Sequence, residues 1–153
     1  MKPKSAAQSQ ISAALVVLPY HTNLIGNMHG GEVMRFMDST AGIVAQQHSL
    51  CNPVTVSVDE LVFQEKIKVG DLIVCEAELV FTGRTSMGIK VRVKKKNFKT
   101  EKSDKYAIEG NWLMVALDEN RRPIPVPPLI IESPEQQKLF DAFKAKLIKK
   151  DER

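Results

Sequence analysis

At 153 residues, the chain is long enough to bury most of its apolar surface around a single hydrophobic core, so we expect one domain. Its 22 basic and 18 acidic residues give a formal net charge of +4, and every apolar run falls short of the roughly 20 residues that cross a membrane, which excludes a transmembrane helix. Cys51 and Cys75 are too few for a disulfide framework or a zinc site and favour a reducing compartment, for which we predict the cytoplasm.

The N-terminal segment predicts an arm followed by a strand. Residues 1–11 are mostly small and polar, and we expect them to form a flexible arm. The apolar run that follows ends at Pro19 without the small-residue cleavage site of a signal peptide. We therefore predict the first strand at about residues 12–18.

A glycine turn precedes the longest apolar helix of the sequence. Helical spacing predicts a helix from about Gly30 to His48, about 27 Å long, which the sequence Cys51-Asn52-Pro53 ends. Its first turn offers unpaired N–H groups and the positive end of the helix dipole to a carbonyl oxygen that gains charge. Asp38 follows two turns later among residues that we expect to be buried, so it needs a partner, such as Arg35, or a catalytic role.

The remainder of the chain predicts a sheet and a second helix. Alternating apolar residues indicate four strands, at about 54–63, 73–81, 87–94 and 106–118, with a bulge or twist near Asp59-Glu60 where the alternation changes parity. A proline-rich extended segment follows, and Ser133-Pro134 has the pattern of a helix start. We predict an α+β domain at 12–130, in which a curled, antiparallel, five-stranded sheet wraps around one long central helix, and a C-terminal helical extension at 131–153.

Five short motifs, in a fixed order, resemble those of the hotdog-fold acyl-CoA thioesterases, the family of the bacterial broad-specificity and brain-type cytosolic acyl-CoA hydrolases. The resemblance covers about residues 12–130 and implies the hotdog fold. The motifs are Asn23-x-x-Gly26-x-x-His29-Gly30-Gly31 with Met37-Asp38, Thr55-Val56-Ser57-Val58-Asp59 before Phe63, Val69-Gly70-Asp71, Gly83-Arg84-Thr85-Ser86-Met87, and Val115-Ala116-Leu117-Asp118.

The resemblance also implies an acyl-CoA thioester hydrolase with a defined set of catalytic residues. Asp38 matches the carboxylate of the central helix and would act as general base or nucleophile. Asn23 matches a loop amide that the partner protomer supplies, and the backbone N–H near Gly30 would polarise the thioester carbonyl. A hydroxyl that assists the attacking water corresponds to Ser57 or to Thr55, and the sequence leaves both open.

The same resemblance assigns residues to the coenzyme A part of the substrate. Gly31 and the turn formed by Arg84, Thr85 and Ser86 would lie along the pantetheine and the phosphates. A cluster of lysines would add a diffuse positive field for phosphate, although a solvated loop between two strands is an alternative interpretation. This cluster consists of Lys94, Lys95, Lys96, Lys99, Lys102 and Lys105.

Partners and rival functions complete the expectations. One helix cannot cover both edges of such a sheet, so we expect two copies to pair through a strand edge; the resemblance extends this dimer to a trimer of dimers. We expect no cofactor beyond the coenzyme A of the substrate, no nucleic-acid partner and no metal, because the three histidines lack metal-ligand spacing. One rival hypothesis is a non-catalytic acyl-CoA sensor on the same fold. Regulators of that kind carry an added DNA-binding segment, and the residues before the first strand are too short for a helix-turn-helix. The other rival is a hotdog dehydratase, which would need a histidine beside the acid.

Overall fold

The structure is a computed structural model that describes residues 1–96, 98–99 and 105–152. Five strands form an antiparallel sheet in the order β2-β4-β5-β6-β3, with α1 packed against one of its faces. The predicted α+β architecture is therefore confirmed. In chain order the elements are β1 (Lys4–Ser5), β2 (Ile11–Val16), α1 (Gly30–Ser49), β3 (Asn52–Phe63), β4 (Leu72–Thr82), β5 (Ser86–Lys95), β6 (Tyr106–Leu117), β7 (Leu129–Ile130) and α2 (Pro134–Asp151).

The main core lies between α1 and the sheet. Alternate residues of the central strands face the helix, because side chains along a strand point to opposite faces in turn. One stripe of α1 supplies the other half of this core. Thr40, His48 and Ser49 are polar residues of the helix that are also buried. Fully buried members of the core include Val33, Met37, Val44, Ile89, Val91, Val93 and Trp112.

The C-terminal helix α2 covers part of the opposite face of the sheet. Phe143 packs over Gly88 of β5, where a Cβ atom would lie 2.6 Å from the phenylalanine ring, so the strand must have a glycine at this point. The predicted helix start is confirmed, since Ser133 Oγ accepts a hydrogen bond of 3.2 Å from the N–H of Gln136. Both faces of the sheet are thus covered in this region by one helix each.

The edge strand β3 contains two irregularities. Pairing with β6 shifts between Thr55 and Ser57, and again between Asp59 and Val62, where Glu60 has a left-handed φ of 52°. The bulge expected near Asp59-Glu60 is therefore confirmed. At this bulge, α2 is tied to β3 by two ion pairs, Lys146 with Glu60 and Lys150 with Asp59.

The N-terminal residues are packed against the domain, which corrects the prediction of a flexible arm. Strand β1 pairs in parallel with β7, Ala6 and Ser9 are buried, and Lys4 Nζ donates to the carbonyl oxygen of His48, 2.8 Å away. Small side chains allow this close packing, and the extended proline-rich segment offers the free backbone groups that β1 needs. None of the helices in the described ranges combines the length and apolar character needed to cross a bilayer.

Candidate active site

The carboxylate of Asp38 is held by two hydrogen bonds that share one oxygen. Asp38 lies near the middle of α1, on the flank that faces β3 and β6. Its Oδ1 accepts from Thr55 Oγ1 at 2.6 Å and from Trp112 Nε1 at 2.9 Å. Within the described part of the chain, no donor is bonded to Oδ2. One oxygen is therefore fixed in place, and the other is open to a substrate or a water molecule.

The expected burial of Asp38 is not found in the single chain. The residue is exposed, as are Val54 and Val56 of the neighbouring strand β3. The physical reason is that β3 lies at an edge of the sheet, so none of the described residues of this protomer covers that flank of α1. No ion pair joins Arg35 to Asp38 among the described residues, so hydrogen bonds rather than burial or a cation orient the carboxylate.

The N-terminus of α1 presents free donors beside a cavity. The carbonyl of His29 accepts the helix's first bond, and the N–H groups of Gly30 and Gly31 have no backbone acceptor among the described residues. Phe63 lies 3.7 Å from the point where a Cβ of Gly30 would be. The adjacent cavity is about 330 Å³ in volume. Its lining combines five apolar side chains with four polar or charged ones: Met28, Val33, Phe63, Ile67 and Ile108, and Asn27, Gln64, Glu65 and Lys66.

Asn23 lies in an exposed loop before α1. Its Oδ1 accepts the backbone N–H groups of Ile25 and Asn27, at 3.1 and 3.2 Å, and so closes the loop on itself. The side chains of Leu24 and Ile25 project into solvent at the tip of this loop. In the single chain Asn23 makes no hydrogen bond to Asp38, so the structure does not bring the predicted catalytic pair together within one protomer.

Of the two candidate hydroxyls, only that of Thr55 reaches Asp38. The shift in register after Thr55 leaves Ser57 opposite Leu113 of β6, and Leu113 packs in the cluster around Phe143 on the α2 face. Directly opposed residues of an antiparallel pair share a face of the sheet. Ser57 is therefore on the face turned away from α1, and of the two hydroxyls the structure brings that of Thr55 to the carboxylate.

The turn predicted to contact coenzyme A lies at the end of the sheet where α1 ends. Backbone hydrogen bonds hold it there: the N–H of Val126 donates to Arg84 O at 2.9 Å, and the N–H of Ala116 donates to Thr85 O at 3.1 Å. Ser86 then begins β5. The α1 N-terminus, with Gly31, is at the other end of the sheet, so the two parts of the predicted binding surface are separated within one protomer.

The predicted lysines Lys94 and Lys96 are also distant from this turn. Along β5, Ser86 and Lys94 are about 26 Å apart at roughly 3.3 Å per residue, so the two predicted groups do not form one surface in a protomer. Lys94 instead forms a 2.6 Å ion pair with Glu76, and this ammonium, together with a hydrogen bond from Tyr106, lowers the pKa of Glu76. Lys102 of the predicted cluster lies outside the described residues.

Cys75 is a potentially reactive side chain that lies in the core. Burial raises the pKa of the Cys75 thiol to about 11, so it remains protonated near neutral pH and is a poor nucleophile. No group of three His, Cys, Asp or Glu side chains is arranged to hold a metal ion within those ranges.

Trp112 is a site residue that the sequence did not reveal. It is fully buried in the core, yet its indole N–H points to the exposed Asp38 carboxylate. The available signal was that a buried tryptophan needs an acceptor for its N–H. The acceptor is 74 positions away in sequence, so only the strand register could identify it.

Comparison with known proteins gives a family match and similar sequences named as acyl-CoA thioester hydrolases. Residues 25–101 match the thioesterase superfamily. The cytosolic acyl coenzyme A thioester hydrolase of Rattus norvegicus is 34% identical over 148 residues, which cover 96% of this chain and 39% of that protein. This chain therefore spans well under half of that relative. An uncharacterized acyl-CoA thioester hydrolase of Zymomonas mobilis is 41% identical over 115 residues, covering 75% of this chain and 76% of that protein.

Solved structures resemble the whole chain. The crystal structure of an apo hexameric acyl-CoA thioesterase superposes with a TM-score of 0.92 at 31% identity, over 100% of this chain and 97% of that one. The acyl-CoA hydrolase of Staphylococcus aureus, in complex with butyryl coenzyme A, coenzyme A and coenzyme A disulfide, gives a TM-score of 0.89 at 28% identity, over 98% and 91% of the two chains.

Proposed function

The chain belongs to the thioesterase superfamily and has its hotdog fold, and from this premise we propose that it hydrolyses acyl-CoA thioesters to coenzyme A and a free carboxylic acid. The observation that supports this most directly is the Asp38 carboxylate, fixed through Oδ1 and open at Oδ2. Relatives named as acyl-CoA thioester hydrolases support the substrate class. A thioester carbonyl is already electrophilic, so one positioned carboxylate and an oxyanion site suffice for its hydrolysis.

In the proposed mechanism, Asp38 provides the base or nucleophile. Its Oδ2 takes a proton from water as the water attacks the carbonyl carbon, or attacks that carbon directly to give an anhydride that water then cleaves. The N–H of Gly30 donates to the carbonyl oxygen as it gains negative charge, with help from the positive end of the helix dipole. The sulfur leaves as the coenzyme A thiolate.

Sequence spacing in a relative supports the choice of three residues. Structures of the Staphylococcus aureus acyl-CoA hydrolase include variants in which an aspartate, an asparagine or a threonine is replaced by alanine. The three positions are spaced along that chain as Asp38, Asn23 and Thr55 are spaced along this one. We assign Thr55 to orienting the carboxylate and leave Ser57 out of the catalytic set, because Ser57 lies on the opposite face of the sheet.

The proposal requires Asn23 to come from a second copy of the chain. In one protomer Asn23 closes its own loop, while apolar residues of that loop and of the edge strand β3 remain exposed. Pairing two copies along β3 would cover Asp38 and bring a neighbouring loop to it. We extend the assembly to three such dimers, since a similar structure is described as a hexameric thioesterase.

The remaining parts of the proposal concern the substrate and its surroundings. Arg84, with Thr85 and Ser86, would contact the phosphates and pantetheine, Gly31 would lie along them, and Lys94 and Lys96 would add positive charge from another protomer of the assembly. The cavity beside Gly30 is where we place the acyl chain. The proposal includes no cofactor and no nucleic-acid partner. It places the protein in the cytoplasm, because the rat relative is named as a cytosolic enzyme.

Thiol release from a panel of acyl-CoAs tests this function. We expect hydrolysis by the parent protein and a fall in kcat of roughly 10²- to 10⁴-fold in Asp38→Asn, the usual effect of a positioned base. The matched control is Glu78→Gln, the same carboxylate-to-amide change on the sheet face away from α1, which should retain activity. Tight acyl-CoA binding without thiol release from the parent would favour the non-catalytic sensor, and full activity in Asp38→Asn would remove this residue from the mechanism.

A further inference from the structure

The two hydrogen-bond donors on Asp38 differ in rigidity. The Thr55 hydroxyl can rotate about its own bond, whereas the indole N–H of Trp112 is fixed in the plane of its ring and only donates. Trp112 is fully buried between Val58 of β3 and Ile89 of β5, so the ring itself cannot move far. The indole therefore offers Asp38 a donor whose position is set by the core.

Gly110 gives the indole its place on the sheet. A Cβ at Gly110 would lie 2.9 Å from Trp112 Cζ3, closer than side chains tolerate, and 3.0 Å from Leu61 Cδ1, which is a tight contact. Glycine two positions before the tryptophan thus leaves room for the ring on the same face of β6. Any residue larger than glycine would push the ring, and with it the N–H that reaches Asp38.

A carboxylate that is otherwise open to solvent needs such a restraint. The terminal torsion of an aspartate has a broad energy profile, so without fixed donors the two oxygens would exchange places readily. Both observed donors bind Oδ1 and none in the described chain binds Oδ2. We propose that Trp112 is a positioning residue, which fixes Oδ1 so that Oδ2 is the oxygen that acts on water or on the thioester. The hydrogen bond between Trp112 and Asp38 follows from the geometry alone, whereas its effect on catalysis rests on the proposed hydrolase function.

Because the chain has one tryptophan, its indole N–H gives a single resonance in a ¹H–¹⁵N correlation spectrum of the intact protein. A hydrogen bond to a carboxylate moves such a proton downfield, so Asp38→Asn should shift the resonance upfield, while Glu78→Gln should leave it unchanged. An indole resonance that is unaffected by Asp38→Asn would overturn the proposal. This measurement needs no turnover, so its outcome is independent of whether the protein hydrolyses acyl-CoA.

Kinetics of Trp112→Phe then test the positioning role. The variant keeps an aromatic ring and loses the N–H, and we expect kcat to fall roughly 10- to 100-fold, the range for losing one hydrogen bond to a charged group, with KM changed less than about twofold. Ile89→Val, a small packing loss beside the same ring at a residue that has no hydrogen bond to Asp38, is the control and should retain kcat.

An unchanged kcat in a folded Trp112→Phe protein, or a rise in KM alone, would overturn the positioning role. If Trp112→Phe does not fold, the indole resonance of the parent and of Asp38→Asn still tests the hydrogen bond on which the positioning role depends, and an unchanged resonance overturns the proposal. A parent protein with no thiol release but with the expected shift in that resonance would refute the proposed function and leave the hydrogen bond established.

Discussion

Thr55 and Ser57 are near neighbours on β3, and a single bulge determines which of them reaches Asp38. Without the bulge, both hydroxyls would point to the same face of the strand, because residues two apart share a face. The extra residue, Val56, changes the parity, so that Thr55 faces α1 and Ser57 faces α2. A local change in backbone register thus separates a hydroxyl that contacts the carboxylate from one that does not.

Replacing each hydroxyl in turn tests this assignment. Thr55→Val keeps the shape of the side chain and removes the 2.6 Å bond to Asp38, so we expect kcat to fall by roughly 10-fold or more while KM changes little. Ser57→Ala is the matched control and should stay within about twofold of the parent. Steady-state kinetics with one acyl-CoA measures both, and equal losses in the two variants would contradict the assignment.

The sequence made Asp38 and Gly30 candidates because both lie within one local motif, where a glycine turn leads directly into a helix. It did not identify Trp112, because that contact depends on the pairing of β3 with β6 and not on local spacing. The exposure of Asp38 was predicted wrongly for a similar reason. Helical spacing shows that a residue lies near an apolar stripe, but it does not show whether the strand beside it is central or at an edge.

Three separate elements meet at His48, near the end of α1. The His48 ring is fully buried, and its Nε2 lies 2.7 Å from the carbonyl oxygen of Pro127 in the proline-rich segment. Lys4 of β1 donates to the backbone carbonyl of the same histidine. Burial lowers the pKa of His48, the Lys4 charge lowers it further, and the bond to Pro127 opposes both effects. Protonation of the His48 ring would therefore destabilise the contact between α1, β1 and the proline-rich segment, which we call the His48 junction.

A pH dependence of stability follows from that junction. The pKa of His48 in the folded protein lies below its value of about 6.5 in an unfolded chain, so below about pH 6.5 the unfolded state binds more protons. We expect this contribution to be fully present above about pH 6.5 and to be lost as the pH falls toward the folded-state value. The free energy of unfolding, measured by denaturant titration between about pH 5 and 8, should decline on the acid side.

The control for this prediction is His48→Gln. A glutamine amide can donate to the Pro127 carbonyl without titrating, so the decline of the unfolding free energy below about pH 6.5 should become shallower than in the parent. Identical slopes in the two proteins would show that His48 does not contribute. A steeper slope in the variant would contradict the direction of the shift.

Among the secondary-structure elements, the sequence predicted those features that neighbouring residues determine. The helix start at Ser133 and the bulge at Asp59-Glu60 follow from residues within a few positions of each other, and both were predicted. Strand β1 is two residues long, and its partner β7 lies more than a hundred residues later in the sequence. Periodicity within the sequence therefore could not reveal it. Its formation depends on a partner that the fold provides.

For the whole molecule, the exposed flank beside α1 suggests how two copies meet. Edge strand β3 presents Val54, Val56 and Val62 to solvent together with unpaired backbone groups, a combination that monomeric proteins avoid. Pairing two β3 strands about a two-fold axis in antiparallel fashion would place opposite ends of the two sheets side by side. The helix start of one copy would then approach the Arg84 turn of the other, which would bring together parts that a single protomer keeps at opposite ends.

Subunit mixing tests whether each active site contains residues from two copies of the chain. Asp38→Asn and Asn23→Ala proteins should each be nearly inactive alone. If Asn23 serves the Asp38 of its partner, a heterodimer of the two variants contains one site with both substitutions and one site with neither. Random reassortment of equal amounts then restores roughly a quarter of the parental activity, because half of the dimers are mixed and each has one intact site of two. The readout is thiol release after co-refolding the two variants. Refolding each variant alone is the control, and a mixture no more active than its parts would show that Asn23 and Asp38 do not cooperate between subunits.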